Sequence, residues 1–297
     1  MHPSVRGIWP ILYAFFDRQD RLDRALMRRQ TEICLAGGGN GVAVLGLATE
    51  VAKLSPAERR HVVEWAAEDL AGRAPLAVTV FGATPAAQTE AVAHAAANGA
   101  VLAVLQPPRD PSLTDDDLLR FFGAVMERAP ITMAIQNAPD LIGVGLTPTS
   151  IAELARRHDN FRVLKGEGPA VLIERVVAMT EGKLAVLNGR GGLELTDNHR
   201  AGCAGLIPAP DCFEAQVAIW DAMDRGDEET AERLYREILP AIVFVMQSVD
   251  HLVCYGKRLV AARMGVEVFD RAPGLAATPF GEAAIARFAA RLGAYAA

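Results

Sequence analysis

Eight short apolar runs punctuate the first two thirds of the chain: GIWPILYAF (7–15), GVAVLG (41–46), PLAVTVFG (75–82), AVLAVLQ (100–106), PITMAIQN (130–137), FRVLKGE (161–167), LAVLNG (184–189) and GCAGLIPA (202–209). They are rich in Val, Ile, Leu and Ala and show no polar alternation, the pattern of strands buried on both faces. Between them lie stretches of helical periodicity with explicit start signals. Ser55-Pro56-Ala57-Glu58 offers an N-cap, a proline at the first helical position and a capping-box glutamate. Thr84-Pro85 and Thr147-Pro148 repeat the cap-then-proline pattern, and Thr114 precedes the acidic first turn DDDLLRFF. Gly37 and Gly99 read as helix stops.

Eight strand–helix units predict a (β/α)₈ TIM barrel over residues 1–226. A doubly wound open sheet is the competing architecture, and the near-regular spacing favours closure. From 227 to 297 the strand-like runs stop. Helical pattern continues there with one break near FDRAPGLAATP, predicting a C-terminal helical extension packed on the barrel.

Composition narrows the function. Apolar residues make up 51%, charged residues 22%, and the formal net charge is −6, which suits a soluble globular protein and argues against nucleic acid as a partner. Charges interrupt every apolar run well before the ~18 residues a membrane span needs, and MHPSVRGIWP lacks a signal-peptide apolar region. A cytoplasmic location follows as the expectation. Cys34, Cys203, Cys212 and Cys254 lack CxxC spacing and read as buried, reduced thiols; the six histidines show no HxxxH or HxH pairing. No metal site and no cofactor are expected. The GGGNG stretch at 37–41 precedes a strand instead of following one, so it fails as a nucleotide-binding loop.

The active site of such a barrel lies at the C-terminal ends of the strands. That rule nominates Tyr13, Leu47-Ala48-Thr49-Glu50, Gln106, Gln136-Asn137, Lys165-Gly166-Glu167, Asn188-Gly189-Arg190 and Ile207. Lys165 stands out, being one of four lysines against 26 arginines and following directly on the apolar FRVL. Strand residues i and i+2 share a face, so Lys165 and Glu167 can point the same way. A buried amine is more readily neutral and can then attack a ketone to form an imine. The alternative is an ion pair with Glu167 or Glu50 that merely plugs the barrel.

The order of motifs resembles the dihydrodipicolinate synthase/N-acetylneuraminate lyase family of class I aldolase-type barrels. The resemblance rests on Gly46-Leu47-Ala48-Thr49-Glu50, Leu54-Ser55-Pro56-Ala57-Glu58-Arg59, Gln136-Asn137-Ala138-Pro139, Lys165 within RVLK, and AGCAGLIP at 201–208. It implies that Lys165 forms a Schiff base with pyruvate or another 2-keto acid, and that the protein is a homotetramer or homodimer.

Departures from the family pattern redirect the reading. Gln136 replaces the proton-relaying tyrosine, and Leu47 and Ala48 replace the two loop threonines. Leu141 falls near the place of the arginine that binds the aldehyde's carboxylate in the lysine-pathway synthase. No aromatic residue follows the Pro107-Pro108 pair in QPPRDP. One branch, the 2-keto-3-deoxy-L-arabonate dehydratases, is similar in carrying QDAP and KxExP where this chain has QNAP and KGEGP. The expected chemistry is dehydration of a 2-keto-3-deoxy sugar acid. Lys165 would form the imine, Glu167 would serve as base or acid, and Tyr13 is a second candidate for proton transfer. Ala48 and Thr49 would bind the substrate carboxylate, Gln136 would hydrogen-bond the substrate, and Asn188, Gly189, Arg190 and Ile207 would complete the pocket. A pyruvate-dependent aldolase or condensing synthase is the alternative within the family. A non-catalytic keto-acid-binding protein is the alternative outside it.

Overall fold

A computed structural model describes residues 5–295. Eight strands, β1 (Gly7–Ile8), β2 (Val42–Val44), β3 (Leu76–Val80), β4 (Leu102–Leu105), β5 (Thr132–Asn137), β6 (Phe161–Gly166), β7 (Ala185–Asn188) and β8 (Gly205–Leu206), form one parallel sheet in the order β1-β8-β7-β6-β5-β4-β3-β2. Ile11 bridges Ala43 in parallel, with Leu12 N donating to Ala43 O and Ala43 N to Pro10 O, so the first segment also reaches β2 and closes the (β/α)₈ barrel.

All eight runs supply strands, yet the 7–15 run pairs far less than its composition suggests. Pro10 has no N–H for a ladder. Beyond it, Tyr13 bonds the Gln30 side chain, its N–H donating to Oε1 and its carbonyl accepting from Nε2. A side-chain amide thus stands where a neighbouring strand would.

The capping signals hold. Ser55 with Glu58 and Thr114 with Asp117 form capping boxes, and Thr84 and Thr147 cap their helices through their hydroxyls. The barrel interior is filled by Ala43, Ala77, Leu102, Val104, Ala134, Val163 and Leu187, with Trp9 and Ile11 from the first segment. Stacked inward-facing side chains of this kind make a packed core, not a pore, so chemistry is confined to the rim.

Beyond residue 227 the chain is helical: Glu228–Val245, Val249–His251, a π-turn Leu252–Gly256, Lys257–Met264 and Pro279–Leu292. The chain bends by 107° between Glu228–Val245 and Val249–Met264. No single helix among the described residues is long and apolar enough to cross a membrane. The anticipated break falls in the irregular segment 265–278.

Candidate active site

Strand β6 carries Lys165 to the rim, and pairing with β5 continues one residue past it, Glu167 N donating to Asn137 O at 2.9 Å. The alternation therefore persists, and Lys165 and Glu167 face the same way. Lys165 Nζ lies 2.9 Å from Glu167 Oε1, both side chains being almost wholly buried. Glu50 is not the partner of Lys165.

A chain of amides fixes the carboxylate. Gln88 Nε2 donates to Gln106 O, Gln106 Nε2 to Gln136 Oε1, and Gln136 Nε2 to Glu167 Oε1, at 2.7, 2.7 and 2.5 Å. A carboxylate only accepts, so Gln136 must turn its NH₂ toward Glu167 and its oxygen toward Gln106. Facing them is Gly189, where a Cβ would come within 2.7 Å of both Lys165 Cε and Glu167 Oε1. Absence of a side chain at 189 is what leaves room for the pair.

Lys165 and Glu167 line a cavity with Ile11, Leu47, Ala48, Leu141, Gly189, Gly191, Ile207 and Ala209; Met246, Ser248, Val249 and Leu252 cover it from the extension. Among the described residues no second cation lines this wall.

At the end of β2 the chain makes a strained turn. Leu45 (φ 65°) and Glu50 (φ 54°) both adopt the left-handed conformation, rare for non-glycine residues and rarer for bulky ones. The buried Ala48 and Thr49 N–H groups have no acceptor among the described residues. Buried backbone donors are almost always paired; of these two residues Ala48 lines the cavity with Lys165, which makes the turn a candidate anion site. The Thr49 hydroxyl itself donates to Leu12 O at 2.6 Å.

Several nominated residues lie outside the cavity wall. Tyr13 is fully buried with its hydroxyl against Gly256, where a Cβ would come within 2.1 Å, and the hydroxyl has no partner among the described residues. Burial first, then the negative charge of Asp211, pushes its phenol well above the ordinary range. Asn188 ties loops together, its Nδ2 donating to Gly168 O and Asn198 Oδ1. Arg190 pairs with Glu194 at 2.9 Å. All four cysteines are buried and unpaired, and no cluster among the described residues could hold a metal ion.

Two features escaped the strand-end rule. One is the extension's cover, signalled only by the N-cap Ser248 interrupting helical pattern. The other is a second buried ion cluster, in which Glu50 accepts from Lys53 Nζ through Oε2 at 2.6 Å and from Lys257 Nζ through Oε1. The scarcity of lysine flags both cations as readily as it flags Lys165.

An amine–carboxylate pair at the rim of a closed (β/α)₈ barrel is the equipment of a Schiff-base lyase. The dihydrodipicolinate synthetase family profile matches residues 4–283, and the chain belongs to that family, as an enzyme of the lyase class. It is 28% identical to the 4-hydroxy-tetrahydrodipicolinate synthase of Methanosarcina mazei, over 80% of this chain and 81% of that one. It is 26% identical to the Escherichia coli K12 protein named "Probable 2-dehydro-3-deoxy-D-pentonate aldolase YjhH", over 92% of each chain. Two solved structures share the fold: dihydrodipicolinate synthase from Rhodopseudomonas palustris (TM-score 0.87, 23% identity, 98% and 99% of the two chains covered) and YagE of E. coli K12 in complex with pyruvate (TM-score 0.88, 20% identity, 98% and 99% covered).

Proposed function

We propose that the protein dehydrates a 2-keto-3-deoxy sugar acid through an imine on Lys165. The observation that carries this reading is the buried Lys165 amine in the cavity wall, 2.9 Å from a carboxylate held by the Gln136 amide. The substrate carboxylate takes the free N–H groups of Ala48 and Thr49. Glu167 accepts a proton from Lys165, the neutral amine attacks the C2 carbonyl, and Glu167 returns that proton to the carbinolamine hydroxyl, whose loss as water gives the iminium and restores the carboxylate. Glu167 then removes a C3 proton, the resulting enamine expels the C4 hydroxyl, and that proton leaves with it as water. Hydrolysis of the unsaturated iminium frees Lys165. Gln136 carries no proton in this scheme; it orients Glu167.

Cavity chemistry supports a neutral distal end. Leu141 and the surrounding aliphatic side chains offer no cation to a second carboxylate or a phosphate, and Arg190 is committed to Glu194. The cavity is small, ≈ 30 Å³, with Met246 and Leu252 of the extension in its wall, which favours a short-chain acid.

The E. coli relative named as a pentonate aldolase favours a second outcome on the same imine. There, proton removal from the C4 hydroxyl and cleavage of C3–C4 would give an aldehyde and the pyruvate enamine. Incubation with 2-keto-3-deoxy pentonates and hexonates, with analysis of the products, separates the two. A dehydrated keto acid supports dehydration; pyruvate plus an aldehyde would replace it with the aldolase reading. A homotetramer or homodimer is the form expected in solution, to be checked by light scattering.

A further inference from the structure

Three of the four lysines are buried or half-buried at the barrel rim, and only one faces the cavity. Lys257 is completely buried, 5.2 Å from the Phe16 ring centroid, and its ammonium meets Glu50 Oε1. Lys53 Nζ holds the other carboxylate oxygen and also donates to Arg271 O at 3.0 Å. Glu50 itself closes the left-handed end of the turn, its N–H donating to Leu47 O at 3.0 Å and its carbonyl accepting from Lys53 N at 2.8 Å. A strained backbone persists only where its surroundings over-determine it. The other anchors of this turn are few: the Thr49 hydroxyl on Leu12 O, Arg59 Nε on Val51 O at 3.0 Å, and a long Val51 N to Gly46 O bond of 3.5 Å.

The cation that completes the clamp comes from the extension. Lys257 comes directly after the π-turn Leu252–Gly256, the same segment whose Leu252 covers the cavity and whose Gly256 packs on the Tyr13 hydroxyl. Such π-turns widen a helix and re-aim the side chains of its next turn, and they concentrate at functional sites. A buried ion pair is weak as a source of stability. A second lysine on a carboxylate that already has one serves geometry better than it serves stability.

We propose that Lys257 and Lys53 are positioning residues: by clamping Glu50 they hold the Ala48 and Thr49 N–H groups toward the substrate carboxylate. The inference rests on the imine chemistry proposed for Lys165. It predicts selectivity. Loosening the clamp impairs carbonyl compounds that carry a carboxylate and spares those that do not.

The test is borohydride trapping on Lys165 with pyruvate and, in parallel, with hydroxyacetone, which has the ketone and no carboxylate. In Lys257→Met the pyruvate concentration for half-maximal trapping should rise roughly 10- to 100-fold, the scale on which small misplacements act, while hydroxyacetone trapping changes less than about twofold. Lys53→Met should move pyruvate trapping the same way by a smaller factor, and it carries the test if Lys257→Met does not fold. Equal losses with both compounds, or no loss with pyruvate, would overturn the clamp. Absence of any pyruvate adduct in the unsubstituted protein would instead overturn the imine reading beneath it.

Discussion

Two buried lysine–glutamate pairs stand at the rim of this barrel, and they differ in how each carboxylate is satisfied. Glu167 meets one ammonium and one amide, both at Oε1, its other oxygen has no hydrogen-bond partner among the described residues, and the side chain lines the small cavity beside Gly189. Glu50 meets two ammonium groups, one on each oxygen, and with Lys53 lines a separate cavity on the far side of the turn it terminates, which Lys257 does not line. Burial lowers the pKa of Lys257 below the usual lysine range, and the Glu50 charge opposes that drop. Depressed basicity alone would nominate Lys257 as the nucleophile, but it is completely buried and does not line the cavity that holds Lys165 and Glu167. What separates the pair we propose as reactive from the other is its place in the cavity wall, not depth of burial.

The largest effect expected on this contrast is from Lys165→Met, which should abolish the adduct and lower turnover by about 10⁴-fold or more, as loss of a covalent nucleophile does. Steady-state rates and mass spectrometry check it; retention of an adduct would move the chemistry to another lysine. Glu167→Gln should cost roughly 10²- to 10⁴-fold in turnover, the range for a general acid–base group, while the trapped adduct still forms. Full turnover in that variant would transfer the proton-carrying role elsewhere. Gly189→Ala drives a methyl group to 2.7 Å from both members of the pair. Trapping should slow by about 100-fold through misplacement of the amine, with the far-UV circular dichroism unchanged.

The smallest effect concerns a third buried acid, one with no cation on its carboxylate among the described residues. Burial raises Asp211 from 3.8 to about 7, with only its own backbone N–H and the Arg263 charge opposing. Folded protein thus holds this proton across pH 4–7 where the unfolded chain has released it. Its contribution to stability is complete below about pH 4 and is lost as pH rises toward 7, a few kcal/mol in all. The difference in Tm between Asp211→Asn and the parent should therefore grow from pH 4 to 7 and level off above. A difference independent of pH would show that Asp211 is ionised throughout.

Much of this architecture is legible in the chain alone. Eight two-face-buried runs and four hydroxyl caps locate the barrel, because burial and capping are local consequences of composition and spacing. Lys165 and Glu167 are legible as a pair because strand alternation carries them to one face. The strand-end rule nominates Glu50 as well but not its partners, since Lys257 lies more than 200 residues away in sequence and arrives through a π-turn that no periodicity announces. Tyr13 fails to reach the cavity for a related reason: Pro10 and the Gln30 amide end strand pairing early, and the side chain is buried beneath the extension. Strand-end logic finds what the barrel itself presents. It is blind to what the appended helices bring.

The measurement that bears most directly on the contrast between the two pairs is borohydride reduction in the presence of pyruvate, with peptide mass spectrometry across all four lysines. A single reduced adduct on Lys165, with Lys53, Lys183 and Lys257 unmodified, is the predicted result. An adduct on Lys257, or none on any lysine, would contradict the assignment of the cavity-facing pair as the reactive one.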